Sequence, residues 1–217
     1  MENKADVRSM LKDAMILFAI TLISGLVLGL VYELTKEPIR LQQEKAIQEA
    51  CKAVFEEADQ FAIANYTLDE ELAADLASVG VTVGDVYFAI NEGHHLGFVV
   101  EASTSEGYGG IITLYLGIDN DGTLQGISIL DISETPGLGM KAGDELVPQF
   151  KNKKVEAFTY TKSGSISDSE IDAISGATVT TKAITNAVNG GLKLFSQELK
   201  GKECIVAVES KGGAANE

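Results

Sequence analysis

The chain has 217 residues, with 17 basic against 32 acidic side chains and a formal net charge of −15. That length accommodates one membrane segment and one domain with its own core, and so acidic a balance excludes the basic surface that nucleic-acid binding requires. Hydrophobic residues make up 45%, which excludes wholesale disorder, and the chain carries no sustained heptad array or internal repeat.

Residues 1–13 are polar and mixed in charge. Ala14 to Tyr32 is an uncharged, mostly apolar run. As a helix it spans about 28 Å, close to the roughly 30 Å of a bilayer's hydrocarbon core, and a helix is the only single-segment structure that satisfies its own backbone there. Gly25 and Gly29 form a small-xxx-small pair, read equally as a helix-packing face or as tolerated glycines. A cleaved signal peptide is the competing account, but Val31-Tyr32-Glu33-Leu34 is a poor cleavage site. The run therefore reads as an uncleaved anchor. Lys4, Arg8 and Lys12 before it are matched by Lys36, Arg40 and Lys45 after it, so charge does not set the orientation.

Pro38 is expected to start or reset a helix. From Leu41 to about Asp59, apolar residues recur at helical spacing, and Cys51 shares a face with Ile47, Val54 and Phe55, which places it in a core. Cys51 and the second cysteine, Cys204, fit no zinc or Cys-x-x-Cys spacing, and nothing supplies the geometry for a bridge between them. Asp69–Leu76 reads as a short helix capped by Thr67. Strands are predicted over Asp85–Asn91 and Leu96–Ala102, joined by a hairpin turn at Glu92-Gly93-His94-His95 that carries both histidines. A second hairpin joins Ile111–Asp119 to Gly126–Asp131 through Asn120-Asp121-Gly122. Asp119 and Asp121 do not make a calcium loop, because position 117 is Gly. An amphipathic turn after Met140-Lys141 leads to Phe150, followed by a strand and a polar loop over 151–170. Cys204–Val208 reads as a last short strand, and the Gly-rich end as a disordered tail.

Two stretches carry the chemistry. The first is Glu134-Thr135-Pro136-Gly137-Leu138-Gly139. Pro136-Gly137 predicts a type II turn, and its flanking glycines leave backbone open to a flat ligand; no βαβ unit surrounds it, so it is not a dinucleotide fingerprint. The second is Asp172-Ala-Ile-Ser175-Gly176-Ala177-Thr178. After it, Ile184, Ala187, Val188, Leu192, Phe195 and Leu199 mark one face of a helix, interrupted by Gly190-Gly191. A helix head favours a phosphate, and Lys182 would add a full positive charge one turn in. On these residues alone an ordinary helix cap is the better reading.

Both stretches, with Glu106-Gly107-Tyr108-Gly109-Gly110 and the Val31–Ile39 exit of the anchor, resemble the FMN-binding domain family. Its members include the RnfG component of the Rnf electron-transport complex and the NqrC component of the sodium-translocating NADH:quinone reductase. The resemblance implies an α+β fold: a single N-terminal transmembrane helix, then an FMN-binding domain with a mainly antiparallel sheet packed by helices. It implies covalent FMN, joined by a phosphoester to Thr178 by a separate flavin transferase. Asp172 then begins the element the transferase reads. Ser175, Gly176, Ala177 and Lys182 fall around the phosphate. Glu134, Thr135, Gly137, Leu138 and Gly139 line the isoalloxazine. The expected organisation is a cytoplasmic segment 1–13, anchor 14–32, juxtamembrane helix 33–60, FMN-binding domain 61–208 on the extracytoplasmic side, and tail 209–217. The implied partners are the other Rnf subunits, the transferase and membrane lipid; the implied activity is electron transfer between ferredoxin and NAD coupled to sodium or proton movement. The NqrC component of the quinone reductase, a stand-alone membrane flavoprotein, and a non-redox anchored binding module are the alternatives. None of these readings uses a catalytic acid–base set, and the chain has no Gly-x-Ser-x-Gly elbow.

Overall fold

The computed structural model describes residues 2–202; the expected strand Cys204–Val208, the tail and any pairing of Cys204 lie outside the described residues. The chain divides into two units, Met1–Ala46 and Ile47–Glu217. The described residues of the first are helical and belong to α1 (Glu2–Val54). Their large apolar side chains are exposed, and Leu17, Phe18, Leu22, Leu26 and Leu30 are more than half so. The helix is long and apolar enough to cross a membrane. Within the run, the Thr21 hydroxyl is satisfied by the Phe18 carbonyl at 2.9 Å, a local bond that makes a hydroxyl tolerable in an apolar helix. Pro38 does not reset the helix as expected; it sits inside α1. Proline removes the N–H that would reach the Leu34 carbonyl, but this stretch is exposed, so water can take that bond. Arg40 pairs with Glu37 at 2.9 Å and Glu44 at 2.6 Å, each pair adding a few tenths of a kcal/mol to the turns that follow.

The second unit is built on a five-stranded antiparallel meander, β1 (Gln60–Ile63), β2 (Val81–Asn91), β3 (His94–Thr104), β4 (Ile112–Asp119) and β5 (Leu124–Ile132), in sequential order. Helix α2 (Glu70–Ser78) follows β1, and its N-cap is Asp69, not Thr67: the Asp69 carboxylate accepts from the Glu71 N–H at 3.0 Å and the Leu72 N–H at 3.4 Å. After β5 come helical turns over 139–150, including α3 (Ala142–Glu145). A small parallel pair follows, β6 (Thr159–Thr161) with β7 (Glu170–Asp172), and then α4 (Thr178–Leu194), which ends in a π-helical turn.

Both faces of the sheet are covered, and alternation along β4 shows how. Ile112, Leu114, Leu116 and Ile118 point into the larger core with Ile184, Val188 and Leu194 of α4. Tyr115 points the other way, into a smaller core with Ala50, Cys51 and Val54 from the end of α1 and Phe55 just after it. Burial of each large aliphatic side chain in such a core contributes roughly 1.5–3 kcal/mol. The Gly190-Gly191 pair does not end α4. A Cβ on Gly190 would lie 2.7 Å from Val81 Cγ1 and one on Gly191 2.8 Å from Leu116 Cδ2, so the glycines let the helix sit close on the sheet. Both histidines lie in β3 rather than on the turn. Glu92 and Gly93, at φ +49° and +80°, make the turn by themselves, and His95 packs edge-on against Phe88 and Phe98 with ring centres 5.0 and 4.8 Å away.

The smaller core holds groups that resist ionisation. Burial, more than the nearby carboxylates, pushes the Cys51 thiol up to about 12 from its ordinary 9.0. Burial likewise raises the Tyr87 phenol to about 12 from 10.0, and Tyr115, which donates to Glu101 Oε2 at 3.2 Å, moves the same way. A raised folded value means that the unfolded chain loses its proton first. The stabilisation is therefore complete below about pH 9 and is lost as pH rises toward 12. We expect the urea midpoint of the detergent-solubilised chain to fall steadily across that window. In Cys51→Ala the fall should begin nearer pH 10, where the tyrosines take over; a flat midpoint up to pH 12 would contradict the assignment.

Candidate functional site

A cavity of about 490 Å³ opens between the segment after β5 and the head of α4. Its size suits a cofactor-sized ligand, since such sites run from about 300 to 1,000 Å³. One wall comes from Glu134, Thr135, Leu138 and Gly139, the opposite wall from Gly176, Ala177, Thr178, Val179 and Thr180, and Tyr108 stands at the rim.

The first wall is the predicted turn. The Leu138 N–H donates to the Thr135 carbonyl at 3.1 Å, closing Thr135-Pro136-Gly137-Leu138 with Gly137 at φ +78°. That is the positive φ that position i+2 of a type II turn demands. Behind it lies a buried carboxylate. Glu134, only 6% exposed, accepts from the Gly109 N–H at 3.3 Å through Oε1. It thereby joins the turn to the glycine-rich loop. A Cβ on Gly107 would lie 2.8 Å from Glu134 Oε1, one on Gly139 2.8 Å from Oε2, and one on Gly109 2.0 Å from the Ser133 carbonyl oxygen. Gly107, Gly109 and Gly139 are thus required by backbone and carboxylate packed against one another. Glu134 and Gly109 also set where Tyr108 stands, 76% exposed beside the opening.

The second wall is the start of α4. Thr178 is its first residue, half-buried, and the N-cap is Ala177, with no side-chain oxygen capping the helix. The plain-cap reading therefore lacks its defining bond. The N–H groups of Thr178, Val179 and Thr180 belong to the first turn, which has no intrahelical acceptors, and all three residues line the cavity. Gly176, at φ +80°, passes under Leu138; a Cβ there would touch Leu138 Cδ2 at 3.0 Å.

Of the residues singled out in the sequence, Glu134, Thr135, Leu138, Gly139, Gly176, Ala177 and Thr178 are brought together around one space. Ser175, Gly137 and Lys182 are outside its lining. Asp172 lies at the end of β7. Its carboxylate accepts from the Ser165 N–H at 2.5 Å and its own N–H donates to Gln149 Oε1 at 2.7 Å. Thr180 and Thr181 are buried, at 1% and 0% exposure. Sequence reasoning missed Tyr108 and Val179 as lining residues. For Tyr108 the signal was present: an aromatic among glycines on a loop has little core to enter.

Residues 107–193 match the profile of the FMN-binding domain, and residues 1–54 match that of the RnfG N-terminal region. The G component of the proton-translocating ferredoxin:NAD(+) oxidoreductase complex of Clostridium ljungdahlii is 32% identical, over 88% of this chain and 98% of its own length. The chain belongs to the RnfG family. A second relative in that family, the G component of the Na(+)-translocating ferredoxin:NAD(+) oxidoreductase complex of Acetobacterium woodii, is 28% identical over 88% of this chain and 93% of its own length. Among solved structures, NqrC of Shewanella oneidensis overlaps with a TM-score of 0.46 at 22% identity, covering 62% of this chain and 69% of its own. As an RnfG family member, the chain joins a single apolar N-terminal helix to an FMN-binding domain, and the cavity falls within that domain's matched residues.

The residues present fit FMN on the geometry alone. The apolar faces of Leu138 and Tyr108 suit a flat ring. The uncapped first turn of α4 suits a phosphate, because its N–H groups and the helix dipole both favour negative charge.

Proposed function

We propose that this chain is the electron-carrier subunit of an Rnf-type membrane complex passing electrons between ferredoxin and NAD, coupled to sodium or proton movement. FMN is held covalently, through a phosphoester to Thr178 Oγ1. One observation carries the reading: the turn Glu134–Gly139 and the head of α4 close on a single cavity with Thr178 at its edge. The names of the relatives, matched over nearly their full lengths, supply the complex and its reaction.

When bound, FMN supplies the redox chemistry; the protein supplies position and local field. Thr178 tethers the phosphate end. The N–H groups of the first turn of α4 hold its charge. Leu138 and Tyr108 cover the ring. Glu134 keeps both glycine segments at the spacing the ring needs. Ser175 and Gly137 shape the two turns from outside, and Lys182 adds a positive charge one turn along the helix. The domain lies on the extracytoplasmic side, anchored through residues 14–32 in lipid beside the other subunits. A cofactor there would be lost on dissociation, which gives the covalent bond its purpose. A flavin transferase installs it, reading the segment that begins at Asp172.

The test is co-expression of the full chain with a flavin transferase, followed by denaturing electrophoresis viewed under ultraviolet light. Fluorescence on the 23.0 kDa band that survives denaturation is the expected result. A dark band beside a labelled control substrate defeats the covalent attachment, and a purified chain that is also colourless leaves an anchored, non-redox module.

A further inference from the structure

The segment that delivers Thr178 to the cavity is a turn, Ile174-Ser175-Gly176-Ala177, closed by a bond from the Ala177 N–H to the Ile174 carbonyl at 3.0 Å. Gly176 takes φ +80° in it, and Ser175 and Gly176 are exposed. Two exposed residues, one of them a glycine, make a weak support for a residue that must present its hydroxyl accurately. The support comes from underneath. Thr181, on the next turn of α4, has no exposed surface. Its Oγ1 accepts from the Ile174 N–H at 3.1 Å and donates to the Ala177 carbonyl at 3.0 Å. One hydroxyl therefore uses its donor on one end of the turn and a lone pair on the other.

The donated bond is unremarkable, since a helical Thr often returns its O–H to the carbonyl four residues back. Thr185 does only that, to the Thr181 carbonyl at 2.8 Å, and is equally buried. The accepted bond is different in kind: it reaches seven residues back, past the exposed turn, to a buried N–H that the helix itself cannot pair. Resting on the attachment reading above, we infer that Thr181 is a positioning residue for flavin attachment: its hydroxyl pins both ends of the Ile174–Ala177 turn and so fixes Thr178 Oγ1 where the transferase can use it.

In the attachment step the Thr178 hydroxyl gives up its proton and forms the bond to phosphorus. The phosphoanhydride bond of a flavin dinucleotide breaks, and the nucleoside monophosphate leaves. Such a step is sensitive to the placement of the attacking oxygen, and a displacement of about 1 Å costs on the order of 100-fold. Thr181→Val keeps the volume and the β-branch but removes both bonds, freeing the turn and leaving the Ile174 N–H unpaired.

The experiment uses the detergent-solubilised full chain, purified transferase and flavin adenine dinucleotide with magnesium. It follows the initial rate of covalent labelling and, separately, hydrogen exchange in peptides covering 172–180. Thr181→Val should label at least about tenfold more slowly and exchange faster across that segment. Thr181→Ser, which restores the hydroxyl, should label close to the wild-type rate, and Thr185→Val, which loses a bond of the ordinary kind, should do so too. If Thr181→Val proves unfoldable, Thr181→Ala against Thr185→Ala makes the same comparison. Wild-type labelling by Thr181→Val while Thr178→Val stays dark overturns the inference and leaves the attachment site standing. Undiminished labelling of Thr178→Val overturns the attachment reading instead, and the exchange data then decide the clamp alone: faster exchange in Thr181→Val but not in Thr185→Val upholds it, and no change removes it.

Discussion

Thr178→Val should give a folded chain that acquires no covalent flavin. The side chain is half-buried at the first position of α4, and Val matches its shape and β-branching, so packing and helix propensity barely change. Among the described residues the Thr178 hydroxyl is engaged in no protein hydrogen bond, whereas those of Thr181 and Thr185 are. Removing it therefore strands no partner, and stability should move by less than about 1 kcal/mol. What disappears is the hydroxyl that stands at the cavity edge on that helix, both nucleophilic and accessible. Thr180 is buried and Thr181 is committed to the turn, so neither replaces it. In-gel fluorescence should fall below detection with the melting transition unchanged. Fluorescence equal to that of the parent chain would refute the assignment.

Within the sheet, a large effect on folding is expected at Gly97→Ala. Gly97 lies in β3 opposite Asp119, and a Cβ there would come 2.3 Å from the Ile118 carbonyl oxygen, 2.6 Å from Asp119 Cα and 2.8 Å from Phe55 Cζ. Two of these are backbone atoms of a central strand, which cannot retreat without breaking ladder bonds. Overpacking of this kind reaches the upper end of the usual range, about 3 kcal/mol or more. Gly126→Ala is the internal control: also in the sheet, it meets no atom within 4 Å, and its urea midpoint should shift by no more than the surface norm of about 0.5 kcal/mol. Similar midpoints for the two variants would show that the space at Gly97 is not what constrains it.

Those glycines illustrate what a sequence can and cannot convey. The anchor, both hairpins, the Pro136-Gly137 turn and the amphipathic run of α4 are legible because each has a local cause: a length, a period, or a residue that tolerates positive φ. Strand β2 begins at Val81, four residues before the start its pattern suggests, because its alternation is broken. Its register slips between Val83 and Val86, so the alternation changes parity there, although Val81, Val83 and Val86 all face the larger core. Strands β1 and β7, four and three residues long, exist through their pairing with β2 and β6 and leave almost no period to detect. Pro38 carries a strong local preference that a long exposed helix overrides. The cavity's two walls are visible as motifs, but the buried bridge from Glu134 to Gly109 and the placement of Tyr108 arise from tertiary packing alone. Lys182 is exposed one turn into the helix, outside the cavity's lining.

Helix α4 is the central member of the larger core, and residue 178 is its opening position. Prosthetic groups hung from loops can swing free well before a protein melts. A flavin fastened here, as proposed, hangs from the element whose later turns, through Ile184, Val188 and Leu194, are buried in the larger core. A site built on a rigid helix asks little rearrangement of its surroundings when charge arrives or departs.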